Sequence, residues 1–299
     1  MKVAVTGSHG LIGRRLLGEL RSAGYDVVRL VRGAEGDAAA RWDPEAGTVD
    51  VARLAGVEAV IHLAGVGIGD RRWNPDHKRA VLDSRVKGTT LIARTVAEME
   101  PRPRVLLSAS AIGFYGDRDD ELLAETSPSG SGFLAEVCRQ WEAATAPAEA
   151  AGVRTVHLRT GIVQSRDGGA LATQLPMFRL GLGARLGRGR QWVSWVSLDD
   201  EIRAIRHVLE DERVDGPVNL VGPAPVTNAE YTSTLARVLG RPAVLVAPRP
   251  AVELALGREM AAELLFVSQR VEPAVLTRTG FSWRYPTLED ALRAELHAR

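Results

Sequence analysis

The sequence predicts an α/β protein: a doubly wound, mostly parallel sheet with helices on both faces, followed by a small, mainly helical C-terminal lobe. Three observations carry this. Short β-branched runs alternate with segments of helical periodicity as far as Arg159. A glycine-rich turn joins the first run to the first helical segment. After about residue 165 the alternation gives way to loops and shorter helices.

Taken in order, Lys2 to Thr6 reads as a strand, and the segment after Gly10 carries Ile12, Leu16 and Leu20 at helical spacing. Gly24 stands where a left-handed helix cap belongs, and Tyr25 to Val31 is the next strand. Val57 to Leu63 reads as a buried strand, and Asp76 to Met99 as a long helix stopped by Pro101 and Pro103. Val105 to Ser108 is a strand. Phe133 to Ala151 is a helix capped by Gly152, and Arg154 to Arg159 is a further strand. The stretch from Gly168 to Trp192 reads as loop-rich, with many glycines and arginines. Asp199 to Glu210 is a helix, Val218 to Val221 a strand, and Thr227 with Glu230 has capping-box spacing ahead of a helix ending near Gly240. The last stretch reads as a helical cap closed by Leu288 to Leu296. The expected division is a cofactor-binding part over 1–165, with core elements returning within 195–225, and a substrate lobe over 166–299 whose C-terminal domain spans about 248–297.

The composition, 45% hydrophobic and 25% charged, is that of a globular chain. A net charge of +1 gives no broad attraction to nucleic acid or anionic membrane. One cysteine, Cys138, excludes an intramolecular disulfide and a cysteine-built metal site. No apolar run reaches the ~20 residues that span a bilayer. With no basic-then-apolar leader ahead of the first strand, a cytoplasmic location is expected. The expected partner is a small molecule, with the protein a monomer or homodimer.

The chemistry-bearing motif is Thr6-Gly7-Ser8-His9-Gly10-Leu11-Ile12-Gly13, a G-x-x-G-x-x-G loop directly between strand and helix. Gly7 allows a sharp turn, Gly10 removes a side chain where a pyrophosphate approaches backbone, and Gly13 lets the helix lie against the sheet. The helix N-terminus offers free N–H groups to phosphate. This is the signature of a Rossmann-type dinucleotide site. A carboxylate about 20 positions on would bind a ribose 2′-hydroxyl and select NAD. The second strand ends instead in Leu30-Val31-Arg32-Gly33, so Arg32 can make charge-assisted bonds to a 2′-phosphate, with an ordinary solvated arginine as the alternative, and NADP(H) is expected. The strand end His62-Leu63-Ala64-Gly65 leaves room for a cofactor across the sheet edge.

These pieces, together with Ser108-Ala109-Ser110 leading to Tyr115-Gly116 and with Trp195 to Asp200, resemble the extended short-chain dehydrogenase/reductase superfamily. Further stretches resemble one atypical branch, the epimerase-family proteins with a C-terminal domain of unknown function. They include Arg72-Trp73-Asn74, Ser84-Arg85, Trp141-Glu142, Arg159-Thr160-Gly161, Gly168 to Leu171 and Gly189 to Trp192. The resemblance implies that Val31, Arg32, Leu63 and Ala64 touch the cofactor, and that Arg85 and Arg159 donate to its phosphate or ribose oxygens. A helix-surface ion pair for Arg85 and a buried structural pair for Arg159 are the competing readings.

Ordinary members of that superfamily carry a Tyr-x-x-x-Lys pair on the helix after the serine strand, the lysine lowering the pKa of the proton-transferring tyrosine. Here Phe133 stands first on that helix, and the lysine position is Val137 or Cys138. Ser110, expected just past its strand, and Tyr115 are the candidate catalytic hydroxyls; a turn serine and a packing anchor are the alternatives. Glu142 reads as an acid/base or, more simply, a helix-surface salt bridge. Asp199 and Asp200 read as helix-capping groups. His9 reads as solvent-facing and Cys138 as a buried small residue. Trp192, Trp195 and the arginines around them read as a substrate-pocket wall or a solvated loop. Two functions fit: an NADP(H)-dependent oxidoreductase or epimerase, and an NADP(H)-binding regulator or assembly factor without turnover.

Overall fold

Side-chain alternation along the strands explains why helices cover both faces of the sheet. The computed structural model describes residues 1–33 and 39–297. Its main sheet has eight strands: β1 (Lys2–Thr6), β2 (Asp26–Val31), β3 (Ala39–Asp43), β4 (Thr48–Val49), β5 (Ala59–His62), β6 (Val105–Ala111), β7 (Arg154–Thr160) and β8 (Gly216–Leu220). Val3 and Val5 enter one apolar cluster and Ala4 the other; Ile61 and Val60, and Leu107 and Leu106, split the same way. Successive residues of a strand point to opposite faces, so both faces need cover.

The spatial order is β8-β7-β6-β5-β1-β2-β3-β4, and every pairing is parallel except β3 with β4. The chain leaves β1 toward β2 on one side and later returns to β5 on the other. That reversal opens a crevice at the C-terminal ends of β1 and β5, where ligands of such sheets bind.

The helices are α1 (Leu11–Ser22), α2 (Pro75–Glu98), α3 (Phe133–Ala143), α4 (Ala146–Ala150), α5 (Gly169–Arg179), α6 (Leu198–Glu210), α7 (Asn228–Leu239), α8 (Arg249–Leu256), α9 (Arg258–Leu264), α10 (Ala274–Arg278) and α11 (Leu288–His297). On one face, Leu16 and Leu20 of α1 and Ile202 and Ile205 of α6 pack on the sheet; on the other, Ile92, Ala93 and Val96 of α2 and Ala148 of α4 do. Each fully buried leucine or isoleucine contributes about 1.5–3 kcal/mol. A separate core joins α5, α7 and α11 through Leu171, Phe178, Leu235 and Leu292. Helices α8 to α11 make up the smaller helical lobe. It is stitched to the main body, because Val275, Leu276 and Phe281 belong to the sheet's own core.

Four expectations change. The stretch expected as loop from Gly168 begins with a helix, α5. The helix foreseen over Phe133 to Ala151 is two helices: Pro147 lies in the first turn of α4, where its missing N–H costs nothing, and the chain turns at Ala144–Thr145. The strand foreseen to end at Ser108 continues to Ala111, so Ser110 lies inside β6 rather than beyond it. The pair β3–β4 was not foreseen, since charged residues interrupt it, although Trp42 is buried at its centre.

Candidate functional site

The glycine loop sits at the mouth of the crevice. Gly7 has φ +67°, and a Cβ there would lie 2.7 Å from the Leu63 carbonyl at the end of β5. A Cβ on Gly13 would lie 2.2 Å from the Gly7 oxygen. Both positions therefore need glycine for the fold alone. Gly10 differs: it is exposed, its φ of −70° suits any residue, and a Cβ would meet only the Gly7 oxygen, at 3.3 Å. Gly10 is also the N-cap of α1, which has no side-chain cap and no acidic residue in its first turn. Ser8, between them, is buried with its Oγ unpartnered. His9 is exposed, while Leu11 and Ile12 pack onto the sheet's core.

The crevice wall opposite is fixed by Thr6. Its Oγ1 accepts from the amides of Leu63 (3.0 Å) and Ala64 (3.3 Å) and pairs with His62 Nδ1 at 2.8 Å. Burial pushes the His62 pKa down to about 4, so its ring is neutral. Beside this edge, Arg32, Trp42, Ala64, Gly65 and Ser84 line a cavity of about 410 Å³. Arg32 is exposed at its rim, and Val31 is buried behind it. Carboxylates line the cavity as well. Of these, Glu45 and Asp83 are drawn to Lys87 (2.9 and 3.6 Å), and Asp43 accepts the amides of Glu45 and Ala46.

Arg85 comes from α2 and lies under Gly65, whose Cβ would stand 3.3 Å from the guanidinium carbon. It is buried, not on the helix surface as one expectation had it. Nη1 donates to the carbonyls of Val66 (2.9 Å) and Val81 (3.0 Å), Nε has no partner, and the group stacks 4.8 Å from the Trp141 ring. No carboxylate pairs with it among the described residues. Burial pushes its pKa down to about 10.

The other predicted residues are drawn into one buried network. Arg159 donates to both oxygens of Glu142 at 2.8 Å and stacks 3.6 Å from the Phe114 ring centroid. Burial opposes its charge; the Glu142 bonds more than offset this and leave its pKa above the usual range. Ser110 Oγ donates to Glu142 Oε1 at 2.7 Å. Tyr115 is fully buried; its hydroxyl donates to Asn219 Oδ1 (2.7 Å) and accepts from Arg159 Nη1 (3.0 Å), and burial raises its pKa. Arg159 thus forms a buried pair with Glu142, which is its partner rather than part of a surface bridge.

At the head of α3, the Phe133 ring packs edge-on to Trp73 (5.1 Å between centroids) and under Lys78 Nζ (4.4 Å). The Phe133 and Leu134 amides both donate to the carboxylate of Glu263, from α9, at 2.8 Å. Val137 and Cys138 are buried, and burial pushes the Cys138 thiol up to about 12. Ser197, not Asp199, caps α6; the buried Asp200 carboxylate accepts from the amides of Arg284 and Tyr285. Trp195 is a core residue of the α5–α7–α11 cluster, so it does not wall a pocket. Sequence reading missed Glu263, whose signal is only a glutamate near a helix end, and Glu201, which is fully buried in the first turn of α6.

A family model described as the NAD dependent epimerase/dehydratase family matches residues 3–222. The chain belongs to that family. A second model, a domain of unknown function (DUF1731), matches residues 247–295. The epimerase family protein Mb2239 of Mycobacterium bovis is 45% identical over 291 residues, covering 97% of this chain and 96% of that one. A crystal structure of human epimerase family protein SDR39U1 with NADPH superposes with a TM-score of 0.91 at 31% identity, covering both chains completely. A nucleoside-diphosphate sugar epimerase structure from Corynebacterium glutamicum matches at TM-score 0.81 and 38% identity, over 99% of this chain and 58% of that one.

Proposed function

We propose that this chain binds NADP(H) and acts as an atypical short-chain dehydrogenase/reductase, an oxidoreductase or epimerase of a small molecule. The observation that carries cofactor binding is the glycine loop. Gly10 is bare and exposed with only one tight protein neighbour, the Gly7 oxygen, beside an uncapped helix N-terminus and an unpartnered buried Ser8 hydroxyl. Those are the features of a cradle for a pyrophosphate. Arg32 supports the 2′-phosphate, and the human relative's NADPH accords with it. Arg85 supplies a fixed cation beside Gly65, and Leu63 and Ala64 form the floor. In this reading residues 1–165, with 195–225, hold the cofactor and 166–299 shape the substrate side.

When bound, the cofactor supplies hydride chemistry at its nicotinamide. The chain's own part is to orient it and leave proton transfer to substrate or solvent, because Phe133 has no proton to give. The second reading, an NADP(H)-binding regulator or assembly factor, is favoured by one observation. The Ser110 and Tyr115 hydroxyls are both engaged inside the protein, with Glu142 and with Asn219 and Arg159.

Titration with NADPH and NADH tests the first step. NADPH is expected to bind more tightly, with Arg32→Ala removing about tenfold or more from NADPH and little from NADH, the scale of a charge-assisted hydrogen bond. Equal losses would refute the 2′-phosphate assignment. Nicotinamide absorbance over a panel of carbonyl substrates separates the two readings. Turnover supports the enzyme; silence with cofactor bound supports the regulator.

A further inference from the structure

A second surface combines bare apolar side chains, an open strand edge and exposed positive charge. Leu180, Leu182, Val244, Leu245 and Val246 are exposed by 72%, 46%, 83%, 45% and 47%. They form one patch, because Ala184–Leu186 pairs in parallel with Leu245–Ala247 and a Cβ on Gly181 would touch Pro242 at 3.4 Å. Neighbouring strand residues Leu245 and Val246 point to opposite faces and are both half-exposed, so neither face of this ribbon is covered. Among the described residues, the outer edge of Leu245–Ala247 pairs with nothing. An uncharged apolar edge strand is a template for another chain.

The charge around it is one-sided. No aspartate or glutamate occurs from Gly168 to Leu198 or from Tyr231 to Val252, whereas Arg179, Arg185, Arg188, Arg190, Arg237, Arg241 and Arg249 do; of these, Arg237 is paired with Glu289 and Arg249 with Glu253. Arg179 and Arg241 border the patch directly and are exposed, with no ion pair among the described residues. With a net charge of only +1 for the whole chain, this is a local concentration. A second copy would bring like charge against like, which costs affinity.

We propose that this face docks an acidic protein segment in extended form. The segment adds a strand to the open edge of Leu245–Ala247, lays apolar side chains on Val244 and Val246, and sets carboxylates against Arg179 and Arg241. The mode is main-chain pairing for affinity and charge for choice of partner. It does not depend on NADP(H) binding.

The test uses the full chain and three labelled peptides followed by fluorescence anisotropy. They are a short alternating Asp-Val peptide, the same with Lys for Asp, and the Asp-Val peptide with alternate amides N-methylated. The acidic peptide is expected to bind, and the other two about tenfold more weakly or worse. The double variant Arg179→Glu, Arg241→Glu should lose about tenfold or more for the acidic peptide while keeping its melting temperature, since both side chains are on the surface. A variant with Val246→Pro, which breaks the edge without touching charge, should lose binding as well. Equal binding of the lysine or N-methylated peptide, or no binding of the acidic one, overturns the proposal. So does co-sedimentation with phosphatidylserine vesicles in the absence of peptide binding, or a dimer by light scattering that the double charge variant strengthens.

Discussion

Gly10 and Gly13 stand three residues apart, and the protein constrains Gly13 far more tightly. Gly13→Ala drives a Cβ into the Gly7 carbonyl, 2.2 Å away, so the loop must shift and both melting temperature and cofactor affinity should fall. Gly10→Ala meets a single 3.3 Å contact with the Gly7 oxygen and puts a poorer residue at the N-cap, so stability should fall by about 1 kcal/mol, less than for Gly13→Ala, while NADPH affinity drops about tenfold. Equal loss of stability in both variants would show that Gly10 serves the fold. Glu201 offers a second test. Its carboxylate is fully buried, Thr160 Oγ1 donates to it at 2.8 Å, and its second oxygen has no partner, so burial pushes its pKa up to about 8 from 4.5. The unfolded chain releases this proton near 4.5 and the folded chain only near 8. Between those values folding takes up a proton, and stability falls as pH rises. Glu201→Gln should remove a cost on the order of 2–3 kcal/mol at pH 7 and match the wild type near pH 4.5. Melting curves against pH check this, and parallel curves would contradict it. The glycines were legible because backbone rules act at fixed spacing. Glu201 was not, since nothing local tells a buried glutamate from the many that cap helices.

Among the elements, α1 and α7 could be read in full and α3 could not. The capping box of α7 is present as spaced: Thr227 Oγ1 accepts from the Glu230 amide and Glu230 returns the bond to the Thr227 amide at 2.7 Å. Thr227→Ala should cost about 1 kcal/mol by chemical denaturation. Helix α3 carries good periodicity, yet its ends are set by partners distant in sequence. Its N-terminal amides are held by Glu263, about 130 positions away, and its Glu142 is turned inward by Arg159 of β7. Periodicity reports which face is apolar; it says nothing about which distant charge will meet that face. The same limit hid β3, whose place beside β2 is fixed by pairing and by Trp42 stacking edge-on to His62 rather than by its own composition.

At the scale of the whole molecule, the helical lobe and the sheet are joined by specific bonds as well as by packing. Glu263 caps α3, Lys78 reaches Glu259 at 2.6 Å, and Asp200 holds the amides of Arg284 and Tyr285. Glu263→Ala should cost about 1 kcal/mol and speed hydrogen exchange at the Phe133 and Leu134 amides, leaving the α1 amides unchanged. Exchange that rises evenly through the chain would count against a local role. The parallel sheet covered on both faces was legible from alternation alone. The joints between lobe and sheet were not, because each pairs one charged residue with backbone amides far along the chain. Cys138, the sole thiol, is sealed inside α3 and stays protonated at ordinary pH. The chain is therefore chemically silent to maleimides, and a cysteine placed by design at exposed Leu254 on α8 would carry a single dye. Such a reporter would follow the lobe in real time without any background to subtract.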